Sequence, residues 1–153
     1  MPQRRPNRTL GPGHDEFWNW CQKGELRLQR CEDCSQYCWP AVQRCEHCDG
    51  TRLAWRPMSG RGKLVSWCTF ERDYYDRLLP MPWETILVEL EEGPLFISNP
   101  QGFTWREVRY GMPLALAFVE CEDEAGTFNL PVFHRMQAPV SRAATTRSAQ
   151  QAT

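Results

Sequence analysis

Two cysteine pairs, Cys31-x2-Cys34 and Cys45-x2-Cys48, are the residues of this chain whose type and spacing point most directly to chemistry. Each C-x2-C pair can turn tightly enough to put both sulfurs on one side. Two such turns facing each other complete a tetrahedron, which Zn²⁺ accepts at about 2.3 Å per Zn–S bond. Four thiolates leave no position for water, so the spacing predicts one structural zinc ion. Iron held in the rubredoxin manner is the competing metal; an electron carrier would not need the β-rich segment that follows. Cys38 lies between the pairs and could replace a ligand, but Cys34 completes the first pair better. His47, between Cys45 and Cys48, reads as a surface loop residue. Cys21, Cys68 and Cys121 are scattered, and the last two fall in strand-like segments as small core hydrophobes.

Little else in the chain suggests bond-making. A soluble enzyme should show a nucleophile with a base, a carboxylate pair or an open metal site. His14, His47 and His134 are the only histidines, and none has a nucleophile nearby in sequence. Glu89, Glu91 and Glu92 read as a solvated face, and Glu120, Glu122, Asp123 and Glu124 as a polar hairpin tip. Ser59-Gly60-Arg61-Gly62-Lys63 lacks the spacing and the following helix of a phosphate loop. No catalytic constellation is visible.

The elements that must position the cysteines follow from periodicity and turn signals. Residues 1–13 are rich in Pro, Arg and Gly and read as a disordered arm. Asp15 to Gln22 reads as a short helix, with acidic residues at its start and Gly24 as its stop, inside a segment spanning 14–24. So short a helix must dock on something; Phe17, Trp18 and Trp20 would face either the chain's own barrel or a partner subunit. Glu25 to Arg30 alternates and leads as a strand into a ribbon spanning 25–52. Strand-like runs then cover Leu53–Pro57, Gly62–Glu71, Glu84–Glu91, Leu95–Ser98, Leu114–Glu120 and Phe128–Phe133, separated by Gly, Pro and Asn turns. Five or six short strands in residues 53–137 predict a small closed barrel. Residues 138–153 are small and polar and read as a disordered tail.

Composition narrows the class. The net charge is −1, with sixteen Arg against two Lys, and a general polyanion binder should be positive. No apolar run is long enough to span a membrane. The N-terminal residues have no apolar stretch behind their charges, and paired knuckles suit a reducing compartment, so the expected location is the cytoplasm. Seven Trp, seven Phe and four Tyr can fill a small core.

The order of the pieces carries more than any one of them. An aromatic helix with Phe17-Trp18 and then Gly24-Glu25-Leu26 runs into Leu28-Gln29-Arg30-Cys31-Glu32-Asp33-Cys34. Cys45-Glu46-His47-Cys48-Asp49-Gly50 follows, then Ser59-Gly60-Arg61-Gly62-Lys63-Leu64-Val65-Ser66-Trp67 and Leu87-Val88-Glu89-Leu90-Glu91-Glu92-Gly93-Pro94. Gly111-Met112-Pro113 and Leu130-Pro131-Val132-Phe133 complete a series, from about Glu16 to Phe133, that resembles the acyl-CoA-associated zinc-ribbon/OB-fold family, formerly a domain of unknown function. Ser35 stands where a glycine often follows the first knuckle, and residues 74–83 are individual to this chain.

The resemblance implies a mainly β chain: an N-terminal helix, a rubredoxin-like zinc ribbon and an OB barrel. It also implies a non-catalytic partner of a thiolase-like, lipid-transfer-type thiolase-fold enzyme in a hetero-oligomer. Such enzymes form or cleave C–C bonds in acyl-CoA, as thiolases, acyltransferases or steroid side-chain retro-aldolases. The small subunit stabilises the larger one and helps form the CoA channel, and the catalytic cysteine and histidine belong to the partner. On that reading Trp67, Phe70, Tyr74 and Tyr75 would cover an acyl group, and Arg61, Lys63 or Arg72 would meet CoA phosphates. The alternative is a module binding single-stranded nucleic acid by aromatic stacking, which the overall charge disfavours. A free-standing acyl-CoA hydrolase would need a nucleophile–base pair.

Overall fold

The computed structural model describes residues 1–136 of the 153. In chain order these form β1 (Gln3–Arg4), α1 (His14–Gln22), β2 (Arg27–Cys31), β3 (Tyr37–Cys38), β4 (Leu53–Pro57), β5 (Arg61–Phe70), β6 (Trp83–Leu90) and β7 (Leu95–Ser98). There follow β8 (Pro100–Gln101), a 3₁₀ turn (Trp105–Glu107), β9 (Pro113–Asp123) and β10 (Gly126–Arg135). The described residues are thus mainly strand with one α-helix, as the alternating patterns predict.

β2, β3 and β4 make a three-stranded antiparallel sheet, in the order β3-β2-β4, that carries the cysteines. The remaining strands form a sheet in the order β7-β6-β5-β9-β10-β8. β7 pairs with β6 and β8 with β10, and only Asn99 separates β7 from β8, so this bent strand closes the sheet on itself. Closure removes free edges. Its cost is close approach: a Cβ on Gly62 would lie 2.6 Å from the Glu89 carbonyl oxygen and 2.7 Å from Val88 Cγ1, so glycine lets β5 and β6 cross here.

The core is common to ribbon, helix and barrel. Phe17 and Cys21 from α1, Leu26 just before β2, Leu28 within it and Met58 after β4 pack with Leu64, Ile86, Val88, Leu90, Phe96, Leu114 and Phe133 of the barrel. Trp39, from the loop between the knuckles, sits 4.3 Å from Phe17 and 5.2 Å from Phe96, ring centre to ring centre. The ribbon is therefore held to the barrel by large aromatic contacts. Its own core is only Cys31, Cys38 and Cys45 with Cys34, Val42 and Leu53 around them.

Three expectations change. Residues 1–13 are not a loose arm: Gln3 and Arg4 pair in parallel with Cys121 and Glu122 of β9. Arg8 Nη1 donates to Asp123 Oδ1 at 2.9 Å, with side chains only 11% and 1% exposed, and the Arg8 amide donates to Asp123 Oδ2. A two-residue strand leaves no periodicity to read; a distant carboxylate pins it. Second, Leu53–Pro57 belongs to the ribbon, because β4 pairs along its length with β2, and the barrel begins at β5. Third, Phe17 is buried in this chain's own core, which removes it from any partner interface. The tail at 138–153 lies outside the described residues.

Candidate functional site

The two knuckles are built on one local plan. The Cys31 amide donates to the Gln36 carbonyl and the Ser35 amide to the Cys31 carbonyl, both at 2.9 Å. In the second knuckle the Cys45 amide donates to the Gly50 carbonyl at 2.8 Å, and the Asp49 amide to the Cys45 carbonyl at 2.9 Å. Each turn closes through a residue in left-handed conformation after its second cysteine, Ser35 at φ 63° and Asp49 at φ 60°. Such a position favours glycine. At Gly50 the space is the constraint: a Cβ would meet Asp33 Oδ2 at 2.5 Å and Cys48 Sγ at 3.2 Å.

These turns bring the sulfurs together. The Sγ atoms of Cys31, Cys34, Cys45 and Cys48 all lie within 4.8 Å of one another. Cys31 and Cys48 approach to 3.6 Å, and Cys34 and Cys45 to 3.5 Å. Four sulfurs about 2.3 Å from a shared ion stand about 3.8 Å apart, so the cluster has the size of a four-thiolate tetrahedron. The set can hold one metal ion, and soft thiolates select zinc or iron.

Backbone amides support the charge such a site accumulates. The His47 amide points at Cys45 Sγ from 3.4 Å. Burial pushes the Cys45 thiol up, but the His47 and Cys48 amides and the neighbouring thiols outweigh it and bring it down to about 6. The Gly50 amide pulls on Cys48, yet crowding by Cys34, Cys31 and Cys45 pushes that thiol up to about 12. Because ligation needs thiolates, metal loading displaces protons from the cluster, and metal affinity rises with pH.

The other expected site residues separate into groups. Phe70, Arg72, Tyr74 and Tyr75 line one cleft of about 220 Å³ with Leu79, Met81, Trp83 and Thr85. Asp73 shapes its rim by accepting amide hydrogen bonds from Tyr75 and Arg77. Arg61 and Lys63 are elsewhere, at the start of β5, where Arg61 bonds Glu91 at 2.9 Å and Lys63 bonds Glu89 at 3.2 Å. Seven residues of strand part Lys63 from Phe70, roughly 23 Å, and both cations are already paired, so they do not join the cleft. Trp67 is not among the residues lining it, since alternation along β5 turns it to the other side from Cys68 and Phe70.

The cross-strand register points out an apolar face that periodicity alone did not. Ser66 stands opposite Leu87 and Leu87 opposite Ile97; Cys68 stands opposite Thr85 and Phe70 opposite Trp83. Directly opposed residues share a face, so Ile97, Leu87, Thr85, Trp83 and Phe70 form one stripe across β7, β6 and β5 into the cleft. Ile97 is 66% exposed. Legibility of this stripe required the pairing, because a β-bulge between Leu64 and Ser66 shifts the alternation in β5.

On the helix, Trp18 is half-buried, donates its Nε1 hydrogen to the Thr9 carbonyl at 2.9 Å and packs edge-on against Phe128. Trp20 lies under Arg27 and Lys23, 3.8 Å and 4.3 Å from its ring centre. His14 opens α1, His47 sits exposed in the second knuckle, and His134 is exposed in β10. Among the described residues no helix is long and apolar enough to cross a membrane.

A four-cysteine ribbon fused through a shared core to a closed small barrel defines the class: a ribbon/OB-fold protein whose cysteine cluster could hold one metal ion. The family model of the ChsH2 C-terminal OB-fold domain matches residues 55–119, and the arrangement of the chain resembles that of DUF35-type proteins. A chain of the solved Ltp2–ChsH2(DUF35) aldolase matches with a TM-score of 0.73 and 26% identity, over 84% of this chain and 98% of that one. A DUF35-family protein of unknown function from Sulfolobus solfataricus matches at TM-score 0.57 and 16% identity, over 82% of this chain and 87% of its own, which shows the fold alone. The probable enoyl-CoA hydratase alpha subunit of Thermomonospora curvata is 26% identical over 129 residues, or 84% of this chain. This chain spans 39% of that relative's length.

Proposed function

We propose that this chain is a non-catalytic accessory subunit of a thiolase-fold enzyme that forms or cleaves C–C bonds in acyl-CoA, assembled as a hetero-oligomer. The observation that carries the reading is the likeness to the ChsH2-containing aldolase, which extends over nearly the whole of that chain. The metal is one Zn²⁺ held by Cys31, Cys34, Cys45 and Cys48. It supplies a cross-link for a ribbon whose own apolar core is too small to fold alone. Because four thiolates fill the tetrahedron, the ion offers no site to a substrate.

The apolar stripe from Ile97 to Phe70 is the surface that the thiolase-fold partner covers. An exposed, contiguous apolar face on a small protein marks an interaction site. The cleft beside it, with Phe70, Arg72, Tyr74 and Tyr75, lies where a partner and this chain together would enclose the acyl-CoA arm. Trp18 and Trp20 stiffen this chain more than they reach out, since both already have partners within it. The nucleophile and base of the reaction lie on the partner.

Affinity purification of the tagged chain from its host, followed by peptide sequencing, tests the reading. A thiolase-fold polypeptide in fixed ratio is the expected result. A chain that purifies alone, or that consumes acetoacetyl-CoA alone, overturns it.

A further inference from the structure

Two arginines beside the aromatic cleft carry charge that no carboxylate answers. Arg5 lies over Trp83, with 4.5 Å between its guanidinium carbon and the ring centre. Trp83 lines the cleft of Phe70, Tyr74 and Tyr75, Arg5 lines a polar groove, and Tyr75 lines both. Arg72, in the cleft wall, stands 5.5 Å over the Tyr74 ring. Neither arginine is in an ion pair among the described residues. The acids around them are engaged elsewhere: Asp73 accepts the Tyr75 and Arg77 amides, Asp123 holds Arg8, and Glu124 accepts from Asn7 Nδ2 at 2.9 Å. Glu122 stands beside Arg4 in the β1–β9 register. Cys121 supplies no counter-charge either, because burial pushes its thiol up more than Arg5 pulls it down. Arg5 Nε is buried without a partner, which leaves the two terminal NH₂ groups as the donors open to a ligand. The backbone there is fixed, since the Arg5 amide donates to the Glu122 carbonyl at 2.9 Å.

We propose that Arg5 is the anion-binding end of a site for an amphipathic oxyanion whose apolar body occupies the cleft. The inference rests on the acyl-CoA reading above for the source of that ligand: the oxyanion is a phosphate of CoA or a carboxylate carried by the acyl group. A guanidinium meets either through paired N–H donors. Stacking on an indole orients the fork beforehand, so less freedom is lost when the ligand arrives. The cleft holds about 220 Å³, below the roughly 300–1,000 Å³ of a drug-sized pocket, so it suits a short acyl chain or a single ring. Leu79, Met81 and the aromatic walls bury that part, while Arg72 adds a second positive charge and favours an anion over a neutral molecule of the same shape.

Tryptophan fluorescence of the full chain, titrated without any partner with octanoate, octyl phosphate and neutral octanol, tests this. One of the two anions is expected to bind at least about tenfold more tightly than octanol. Arg5→Gln removes that preference and Arg5→Lys keeps part of it. Tighter binding of octyl phosphate assigns the subsite to CoA, and tighter binding of octanoate assigns it to the acyl group. Equal binding of anions and octanol, an undiminished preference in Arg5→Gln, or no binding at all overturns the proposal. The measurement needs no second polypeptide, so its outcome is separate from whether a thiolase-fold protein co-purifies. Should Arg5→Gln loosen the fold, NMR of the wild type decides. The preferred anion then shifts the Arg5 side-chain N–H and Trp83 indole resonances together; shifts confined to other residues overturn the assignment.

Discussion

At the scale of single residues, the left-handed turn positions set what each side chain costs. Ser35 closes the first knuckle at φ 63°, where glycine carries no steric penalty and a side chain costs about 1–2 kcal/mol. Glycine loses part of that advantage through its greater freedom when unfolded. Ser35→Gly is therefore expected to stabilise the zinc-loaded chain by about 0.5–1 kcal/mol in urea unfolding, and a loss of stability would show that the Ser35 side chain does more than sit at the surface. Cys21 makes a second prediction. Burial holds its thiol up at about 12, against an ordinary value of 9.0. Below pH 9 both folded and unfolded chains keep the proton, and the stabilising contribution is complete. Between pH 9 and about 12 the unfolded chain ionises first, so stability falls as pH rises. The melting temperature should drop across that window, and drop less steeply in Cys21→Ala; equal slopes would remove Cys21 as the cause. The clustering of the four cysteines was legible at this scale because C-x2-C spacing encodes local turn geometry. Cys38's approach to Cys45 was not, since it depends on a strand pairing with Gln29.

At the scale of elements, the helix and the long strands were readable because amphipathic periods are local properties. Leu95–Ser98 falls at the boundaries that its flanking turns suggest, and α1 begins one residue earlier than its acidic start implies. The N-terminal strap was not readable: two paired residues have no period, and Pro, Arg and Gly usually mark loose chain. Its order comes from Arg8, whose guanidinium bonds Asp123, reaches the Gly126 carbonyl at 3.1 Å and stacks 4.5 Å over Phe128. Arg8→Ala leaves Asp123 buried with only the Arg8 and Ala125 amides. The expected cost is about 2–3 kcal/mol, below the range for a carboxylate left wholly alone. Faster amide exchange at Gln3–Arg4 should accompany it. No change in either quantity would mean that the strap is held by something other than this ion pair. β4 was misassigned to the barrel for a related reason: alternation identifies a strand but not the sheet it joins, and pairing with β2 decides that.

At the scale of the whole molecule, one core ties ribbon, helix and barrel together, and one apolar stripe is left outside it. Ile97→Asp on that stripe places a charge at an exposed position of β7 whose side chain is outside the core. The melting temperature of the isolated chain should stay within a few degrees of wild type, while co-purification with the proposed thiolase-fold partner is lost. Retained partner binding would move the interface to another face. The division of the predicted aromatic and basic residues into a cleft, an opposite strand face and a paired strand start belongs to this scale, because it follows from barrel closure and the β5 bulge.

A bracing role for the proposed zinc requires a saturated metal site, and zinc K-edge X-ray absorption on the purified protein measures that directly. Four sulfur scatterers at about 2.3 Å and no lighter neighbour in the first shell are predicted. A nitrogen or oxygen scatterer at about 2.0 Å, with three sulfurs or fewer, would reveal an open coordination position and contradict a purely structural role.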